Sequence, residues 1–210
     1  MAAAFRHAST DIVALRYHGY QAIPRMRVGK TSLLHRYIHD VFYEDYRCTL
    51  GASVQHKSVN VEGHTARLQL WDTGAQERFR SMVSVFYKGL DSCILTFDLT
   101  DRDTFVELES WRQSVLDQSR TSDAGLPFIV LGNKTDVKDR QVSREEARAW
   151  CEDRNMVYLE VSAKDGVGVQ QAFATAAGQA LGWHREKLLS CMTDSVKLEA
   201  DGGRKKGCCA

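Results

Sequence analysis

Apolar residues occur in short runs along the chain, and five of these runs predict β-strands. Four of them are nearly continuous, which is typical of strands buried on both faces of a parallel sheet; they span residues 65–72, 92–98, 127–133 and 157–162. Residues 53–61 alternate between apolar and polar positions instead, which predicts a strand at the edge of the sheet.

Helical periodicity lies between these strands. Two sets of apolar residues recur at helical spacing, namely Phe105, Leu108, Trp111 and Val115, and then Val169, Phe173, Ala176 and Ala180. Ser143 and Glu146 form the pattern of a capping box at the start of a further helix. The alternation of strands and helices predicts an α/β domain whose sheet is mainly parallel. The periodicity fades near Lys187, so residues 184–210 are expected to form a flexible tail.

Composition only narrows the classes of protein to which the chain could belong. A chain of 210 residues with 43% hydrophobic residues and a net charge of +1 suits one globular domain and has no basic excess for nucleic acid. No apolar run is long enough for a membrane span, and the N-terminus does not read as a secretory signal. None of the six cysteines has metal-ligand spacing, and the apolar surroundings of Cys93 and Cys151 predict buried thiols in a reducing, cytosolic setting.

Residues 28–31 read Val-Gly-Lys-Thr, the closing half of the phosphate-binding pattern G-x-x-x-x-G-K-[ST]. The position of the first glycine holds Pro24, which is followed by Arg25, Met26 and Arg27. Glycines in such a loop let backbone N–H groups approach phosphate oxygens, and a proline has no N–H to offer. The stretch therefore predicts a phosphate loop whose first half departs from the pattern.

The strand that normally precedes such a loop is not obvious. Residues 11–15 are the best candidate, but they lie so far upstream that residues 16–28 would form a long loop. We therefore expect segment 1–27 to be irregular or weakly attached, and the position of the first strand stays open. An alternative first exon and an imperfect gene model would both produce such an N-terminus.

Polar residues collect after the predicted strands, where ligands bind in parallel sheets. Asp72 follows one strand and could hold a hydrated Mg²⁺ ion or merely cap a turn, two readings of equal weight. Asp136, in the stretch 133–136, could accept hydrogen bonds from N1–H and the exocyclic amine of guanine, which adenine cannot donate. Asn133 could tie neighbouring loops together, and the stretch 162–164 could supply a backbone N–H to guanine O6.

These motifs together resemble a Rab-type small GTPase of the Ras superfamily. The stretches "RLQLWDT", "QERFRSM", "FYKGLDSCILTFDLTD", "LGNKTDV" and "VSAK" stand in the order and at the intervals of that family. "TLGAS" and "AWC" look most like the late-endosomal and lysosomal Rab-seven subgroup. The resemblance covers residues 28–183 and implies a three-layer small-GTPase fold, with six mainly parallel strands and helices on both faces.

The resemblance also implies roles for single residues. Lys30 would bridge the β- and γ-phosphates, Thr31 and Thr49 would bind Mg²⁺, and Asp72 would hold the metal through water. Gln76 would orient the attacking water, as phosphoryl transfer requires positioning more than covalent chemistry. The implied GTP- or GDP-binding residues are Gly29, Lys30, Thr31, Ser32, Thr49, Asp72, Ala75, Asn133, Lys134, Asp136, Ser162, Ala163 and Lys164.

The implied activity is that of a switch that hydrolyses GTP to GDP and phosphate and regulates vesicle trafficking. Its partners would be an exchange factor, an activating protein, an escort protein and effectors. Cys208 and Cys209 would carry geranylgeranyl chains, and the protein would cycle between the cytosol and the cytoplasmic face of endosomal and lysosomal membranes.

The chain departs from the family pattern at three places, which concern nucleotide binding, hydrolysis and the effector surface. The altered loop from Pro24 to Arg27 predicts weak nucleotide binding, and Ala75, where the family has glycine, predicts slow hydrolysis. Val54 replaces an aromatic residue that would join Trp71 and Phe86 on an effector surface; the latter two could equally be core residues. The alternative function is a Rab-like interaction module that binds nucleotide poorly. An unrelated P-loop phosphotransferase is disfavoured by the two guanine-type stretches.

Overall fold

The computed structural model describes residues 11–18, 28–44, 49, 52–61, 63–73, 90–119 and 125–201. These parts of the chain contain six strands and five helices. In chain order they are β1 Asp11–His18, α1 Lys30–His39, β2 Ala52–Val61, β3 His64–Thr73, β4 Ser92–Asp98, α2 Arg102–Val106, α3 Leu108–Ser119, β5 Phe128–Asn133, α4 Arg144–Glu152, β6 Val157–Val161 and α5 Val169–Asp201. The predicted α/β class is confirmed.

The six strands form one sheet in the order β2-β3-β1-β4-β5-β6. Only β2 runs antiparallel, paired with β3 at the edge, and every other neighbouring pair is parallel. The alternating pattern of residues 53–61 therefore correctly predicts the edge strand. The four apolar runs correspond to β3, β4, β5 and β6 with shifts of at most one residue at either end.

The expectation that segment 1–27 is irregular or weakly attached is wrong for residues 11–18. They form β1, which occupies the centre of the sheet and pairs with β3 from Asp11 opposite Ala66 to Tyr17 opposite Asp72. On its other side β1 pairs with β4, from Leu15 opposite Ser92. The gap between β3 and β4 needs a strand because both would otherwise leave backbone groups unpaired. The distance of this strand from the phosphate motif along the chain does not prevent the pairing, since loop-closure entropy rises only slowly with loop length.

The core lies in two layers, one on each face of the sheet. One layer packs α1 and α5 against the sheet, and Tyr37 of α1 stacks on Phe173 of α5 with ring centroids 4.1 Å apart. The other layer packs α2, α3 and α4 against the opposite face. Within β4, Ile94 faces the first layer, whereas Leu95 faces the second, as the two-residue period of a strand requires. The predicted helices on both faces are confirmed.

Two of the predicted features of the second layer are also observed. Ser143 caps α4, and its hydroxyl accepts a hydrogen bond from the Glu146 N–H at 3.1 Å. Cys93 and Cys151 are both buried, and burial raises the pKa of the Cys151 thiol to about 12. A thiol with such a pKa carries almost no nucleophilic thiolate at neutral pH, so Cys151 is a packing residue.

The expectation of a flexible tail from residue 184 is wrong for residues 184–201, which continue α5. The apolar periodicity fades there, but residues 183–201 contain neither glycine nor proline and are rich in good helix formers. Helix propensity therefore accounts for the continuation of α5 to Asp201, and Gly202 and Gly203 come next in the sequence. None of the helices in the described part of the chain combines the length and apolarity needed to cross a bilayer.

Candidate functional site

The helix that bears the lysine and threonine of the phosphate motif starts at a glycine that no other residue could replace without strain. Gly29 precedes α1 with φ +85°, and a Cβ there would lie 2.4 Å from Asn133 Nδ2. Both the left-handed backbone and the close approach require glycine. The next two residues, Lys30 and Thr31, form the first turn of α1, and Lys30 is buried. Backbone N–H groups at such a helix start are suited to anion binding.

Two hydroxyls and one carboxylate meet beside this helix start. Thr31 Oγ1 lies 2.6 Å from Thr49 Oγ1 and donates to Asp72 Oδ2 at 2.7 Å. A hydroxyl carries one proton, and Thr31 gives its proton to the carboxylate, so Thr49 is the donor in the first contact. Asp72 comes from the end of β3, and Thr31 from the first turn of α1.

This cluster fits a hard divalent cation. Asp72 is 1% exposed, and its second oxygen, Oδ1, has no hydrogen-bond partner in the described part of the chain. A buried carboxylate oxygen without a partner is costly, and a cation beside it would remove that cost. Carboxylate and hydroxyl oxygens are the donors that Mg²⁺ prefers in proteins. No group of three or more His, Cys, Asp or Glu side chains among the described residues could hold a metal ion instead.

Asn133, at the end of β5, joins two segments that are far apart in sequence. Its Nδ2 donates to the Val28 carbonyl at 2.8 Å, and its Oδ1 accepts from the Ala163 N–H at 3.2 Å. Asn133 is 1% exposed, so both bonds are shielded from water. The prediction that Asn133 ties neighbouring loops together is confirmed. The same bonds engage the Ala163 N–H, the donor predicted to meet guanine O6, within the protein.

Asp136 and Ser162 are brought together from the loops after β5 and β6. Ser162 Oγ donates to Asp136 Oδ1 at 2.6 Å and accepts from the Asp165 N–H at 3.0 Å. Asp136 itself is exposed, whereas Ser162 is buried. The buried hydroxyl therefore fixes one oxygen of a carboxylate that otherwise faces solvent, which is the arrangement expected of a carboxylate that reads an incoming base.

Comparison with known proteins decides the family. The model of the Ras family matches residues 22–181. Rab-7b from Bos taurus is 52% identical over 187 residues, covering 89% of this chain and 94% of the relative. Human Rab-7b is 49% identical over 181 residues, covering 86% and 91%. Rab-9A from Mus musculus is 40% identical over 184 residues, covering 87% and 92%. The chain belongs to the Ras family.

Membership of the Ras family confirms the resemblance to Rab-type small GTPases that the motifs indicate, and members of this family are GTPases. The family match begins at residue 22, after the end of β1 at His18. The strand at the centre of the sheet therefore lies outside the range in which the chain matches the Ras family.

Lys134 lies beside the end of β4, where its ammonium group forms an ion pair with Asp98. The contact of Lys134 with nucleotide that the resemblance implies stays a prediction. The backbone of Lys134 has φ +72°, a left-handed conformation that is rare for a residue with a side chain. Strain of this kind persists where the surroundings over-determine it, and such positions cluster at ligand sites of proteins.

Asp98 is a residue of this Ras-family site that sequence reasoning overlooked. It is 5% exposed, and besides Lys134 it accepts hydrogen bonds from the N–H of Thr100 at 2.9 Å and from its hydroxyl at 2.7 Å. Its place at the end of a buried strand was a usable signal. A second overlooked residue, Arg36, contacts the loop after β6 and had no such signal, because it reads as an ordinary solvated helix residue.

The remaining predicted residues divide into two groups. Ser32 is half-buried on α1, and Lys164 is exposed in the loop after β6. Val54 is 37% exposed on β2, and Trp71 is half-buried on β3. The others lie outside the described residues, namely Pro24, Arg25, Arg27, Ala75, Gln76, Phe86, Cys208 and Cys209.

Proposed function

We propose that this protein is a GTP-binding and GTP-hydrolysing switch that regulates vesicle trafficking in the late endosome and lysosome pathway. The observation that carries the proposal is the arrangement of Asn133, Asp136 and Ser162 beside the helix start at Gly29, in a chain of the Ras family. It combines a segment suited to phosphate with a carboxylate suited to guanine. The proposed GTPase domain covers residues 28–183 together with β1.

The phosphate end of the site provides charge and positioning. Lys30 would contact the β- and γ-phosphates, and the hydroxyls of Thr31 and Thr49 would hold Mg²⁺, with Asp72 assisting through water. Mg²⁺ supplies neutralisation of phosphate charge when it is bound. Oδ1 of Asp72 supports this assignment, because it is buried and has no hydrogen-bond partner among the described residues. Gln76 orients the attacking water.

The base end provides selectivity for guanine over adenine. Asp136 would accept hydrogen bonds from N1–H and the exocyclic amine of guanine, while the Ser162 hydroxyl holds Oδ1 of Asp136 in place. Adenine has no donor at either position and would leave the carboxylate unpaired, which is the kind of mismatch that a polar site rejects most strongly. The Ala163 N–H donates to Asn133 Oδ1 in this structure, so a contact with guanine O6 would share or replace that hydrogen bond. The stem of Lys134 would cover one face of the ring, and Lys164 would also contact the nucleotide.

The output of such a site is a change of state. Loops ordered by the γ-phosphate are released after hydrolysis, and effectors read the difference. An exchange factor would replace GDP by GTP, and an activating protein would supply an arginine that accelerates hydrolysis. The exposed Val54 on β2 would shape the choice of effectors.

The alternative is a Rab-like interaction module that binds nucleotide poorly, and the sequence from Pro24 to Arg27 favours it. Proline at the first glycine position removes one backbone donor to phosphate. We propose weak binding and slow intrinsic hydrolysis rather than complete loss, because Gly29, Lys30 and Thr31 keep the geometry of a helix start.

One measurement separates the switch from the interaction module. The guanine nucleotide content of the purified full-length protein is measured by denaturation and ion-pair chromatography, before and after incubation with GDP and Mg²⁺. The switch predicts an empty or partly loaded protein that binds GDP stoichiometrically during incubation and prefers it to ADP. Absence of any binding at millimolar GDP would refute the switch. Full occupancy on purification would refute the proposed weakness of the loop.

The C-terminus carries the proposed membrane anchor. Cys208 and Cys209 are adjacent in the sequence and follow a short basic stretch. We propose geranylgeranyl chains on both cysteines, since stable anchoring takes two signals, with weak help from the preceding Arg204 and two lysines. Replacement of both cysteines by serine should move the protein from endosomal and lysosomal membranes to the cytosol. An unchanged membrane fraction, or absence of isoprenoid by mass spectrometry, would contradict this assignment.

A further inference from the structure

An arginine near the end of α1 reaches across to the loop that follows β6. Arg36 Nε donates to the carbonyl of Ala163 at 2.9 Å, and Nη2 donates to the carbonyl of Lys164 at 2.7 Å. The third nitrogen, Nη1, donates to the carbonyl of Asp40 at 2.9 Å and to its side chain at 3.1 Å. All three nitrogens of the guanidinium therefore have fixed acceptors, and the side chain is only 18% exposed.

The loop that Arg36 contacts is held from its other side as well. The Ala163 N–H donates to Asn133, while the N–H groups of Asp165 and Gly166 donate to the hydroxyl and carbonyl of Ser162. Gly166 has φ +76°, and a Cβ there would meet Arg36 Cδ at 3.6 Å, so the chain turns directly beside the arginine stem. Ala163 thus has its N–H bound to the end of β5 and its carbonyl bound to α1.

We propose that Arg36 is a positioning residue for guanine recognition. It fixes α1, whose first turn holds the phosphate-binding Lys30 and Thr31, against the loop whose Ser162 orients Asp136. The inference rests on the proposed function, because it concerns the relative placement of the phosphate and base ends of that site.

The physical basis is preorganisation. The ribose fixes the distance between the phosphates and the base of a nucleotide, so a protein that holds both ends at that spacing loses less freedom on binding. Arginine suits this role because its planar fork presents several donors in fixed directions, whereas lysine has a single point charge on a flexible stem. Hydrogen bonds from a charged donor are also stronger than those from a neutral one.

The first arm of the test needs no nucleotide. Hydrogen exchange is measured on the full chain without added nucleotide for the unmodified protein, Arg36→Leu, Arg36→Lys and the control Arg148→Leu. Arg148 lies on α4, is 69% exposed and pairs only loosely with Glu152 at 3.8 Å. We expect exchange of the amides in residues 163–168 to rise about tenfold in Arg36→Leu, to rise less in Arg36→Lys and to stay unchanged in Arg148→Leu, with β4 unaffected throughout.

The second arm compares GDP with inosine diphosphate, which lacks the exocyclic amine that Asp136 accepts. If Arg36 orients the loop after β6, Arg36→Leu should weaken the binding of GDP more than that of inosine diphosphate. The ratio of the two affinities should then fall about fivefold. General destabilisation would weaken both nucleotides equally. Unchanged loop exchange, or an unchanged ratio in a protein that binds GDP, overturns the inference and leaves the proposed function intact. If the unmodified protein binds neither nucleotide, the proposed function fails, and with it the role of Arg36 in guanine recognition. The hydrogen-exchange measurement then decides only whether Arg36 holds the loop after β6 in place.

Discussion

Replacement of Asn133 by aspartate tests the link between the phosphate and base segments with a change of a single atom. The substitution keeps the shape of the side chain and keeps an acceptor for the Ala163 N–H, but it removes the Nδ2 donor. The Val28 carbonyl would lose its partner and face a carboxylate oxygen at the former hydrogen-bond distance of 2.8 Å. Both residues are buried, Asn133 at 1% exposure and Val28 at 2%, so water cannot replace the lost donor.

The magnitude follows from two costs. A buried carbonyl without a partner costs about 1–3 kcal/mol, and a buried charge without a partner adds to that penalty. We expect Asn133→Asp to lower the free energy of unfolding by about 3 kcal/mol. In a domain of 150–250 residues each kcal/mol shifts the melting temperature by about 2–4 °C, so the expected decrease is about 6–12 °C.

The assay is equilibrium unfolding in urea together with thermal melting at constant buffer and nucleotide. Asn60→Asp is the matched control, because Asn60 is exposed and its Oδ1 only accepts a hydrogen bond from the Gly63 N–H at 3.1 Å. Aspartate accepts that bond equally well, so the control should stay within about 0.5 kcal/mol of the unmodified protein. Equal stability of Asn133→Asp and Asn60→Asp would show that the hydrogen bond from Asn133 to the Val28 carbonyl does not stabilise the fold.

The same variant also has a ligand readout. GDP stabilises the folded protein in proportion to the logarithm of its concentration over Kd, so the rise in melting temperature at a fixed GDP concentration reports affinity. Asn133→Asp should lose most of that rise, because the Val28 carbonyl next to Gly29 and the Ala163 backbone are no longer held together. A full GDP-induced rise in a destabilised variant would show that the link supports the fold but not the nucleotide site.

Two further predictions concern single carboxylates. Asp136→Asn should weaken GDP binding by about a hundredfold or more, because it places a donor against guanine N1–H. The control Asp139→Asn, in the exposed part of the same loop, should bind GDP normally. Competition of a fluorescent GDP analogue with GTP and ATP measures both variants, and equal competition by ATP would contradict the guanine assignment. Hydrogen bonds from Arg112, followed by those from Arg154, hold the pKa of Glu109 below its usual 4.5. The stability that the Glu109 charge contributes is therefore fully present above pH 4.5 and is lost as the pH falls through the pKa of the folded state. Glu109→Gln should therefore lower the urea midpoint at pH 7, and this effect should shrink as the pH is lowered below 4.5. A difference independent of pH would show that the charge is not responsible.

The local part of this structure could be predicted from sequence. The run from Ser92 to Asp98 coincides with β4 because a strand buried on both faces is apolar at most positions, without alternation, and that pattern is visible in the segment alone. The edge strand β2 was recognisable for the complementary reason that one of its faces meets solvent. Ser143 was recognisable as a cap because its hydrogen bond spans only three residues.

The features of the site that follow motifs were also within reach. Asn133 is the last residue of β5, Asp136 follows β5, and Ser162 follows β6. The carboxyl ends of neighbouring parallel strands lie side by side. Their proximity was therefore implied once the strands were assigned. The bond from Ser162 Oγ to Asp136 is a consequence of that topology.

Tertiary structure alone decided which strand fills the centre of the sheet and which side chains meet across it. The run at Asp11–His18 is locally an ordinary strand, and only the open position between β3 and β4 makes it the central one. Arg36 and Ala163 are 127 residues apart, and the contact between Lys134 and Asp98 likewise joins the ends of two different strands. Local patterns report what a segment buries, because burial acts on each residue along its own element. Partners across the sheet depend on register and crossover, which are properties of the assembled chain and leave no periodic mark in the sequence.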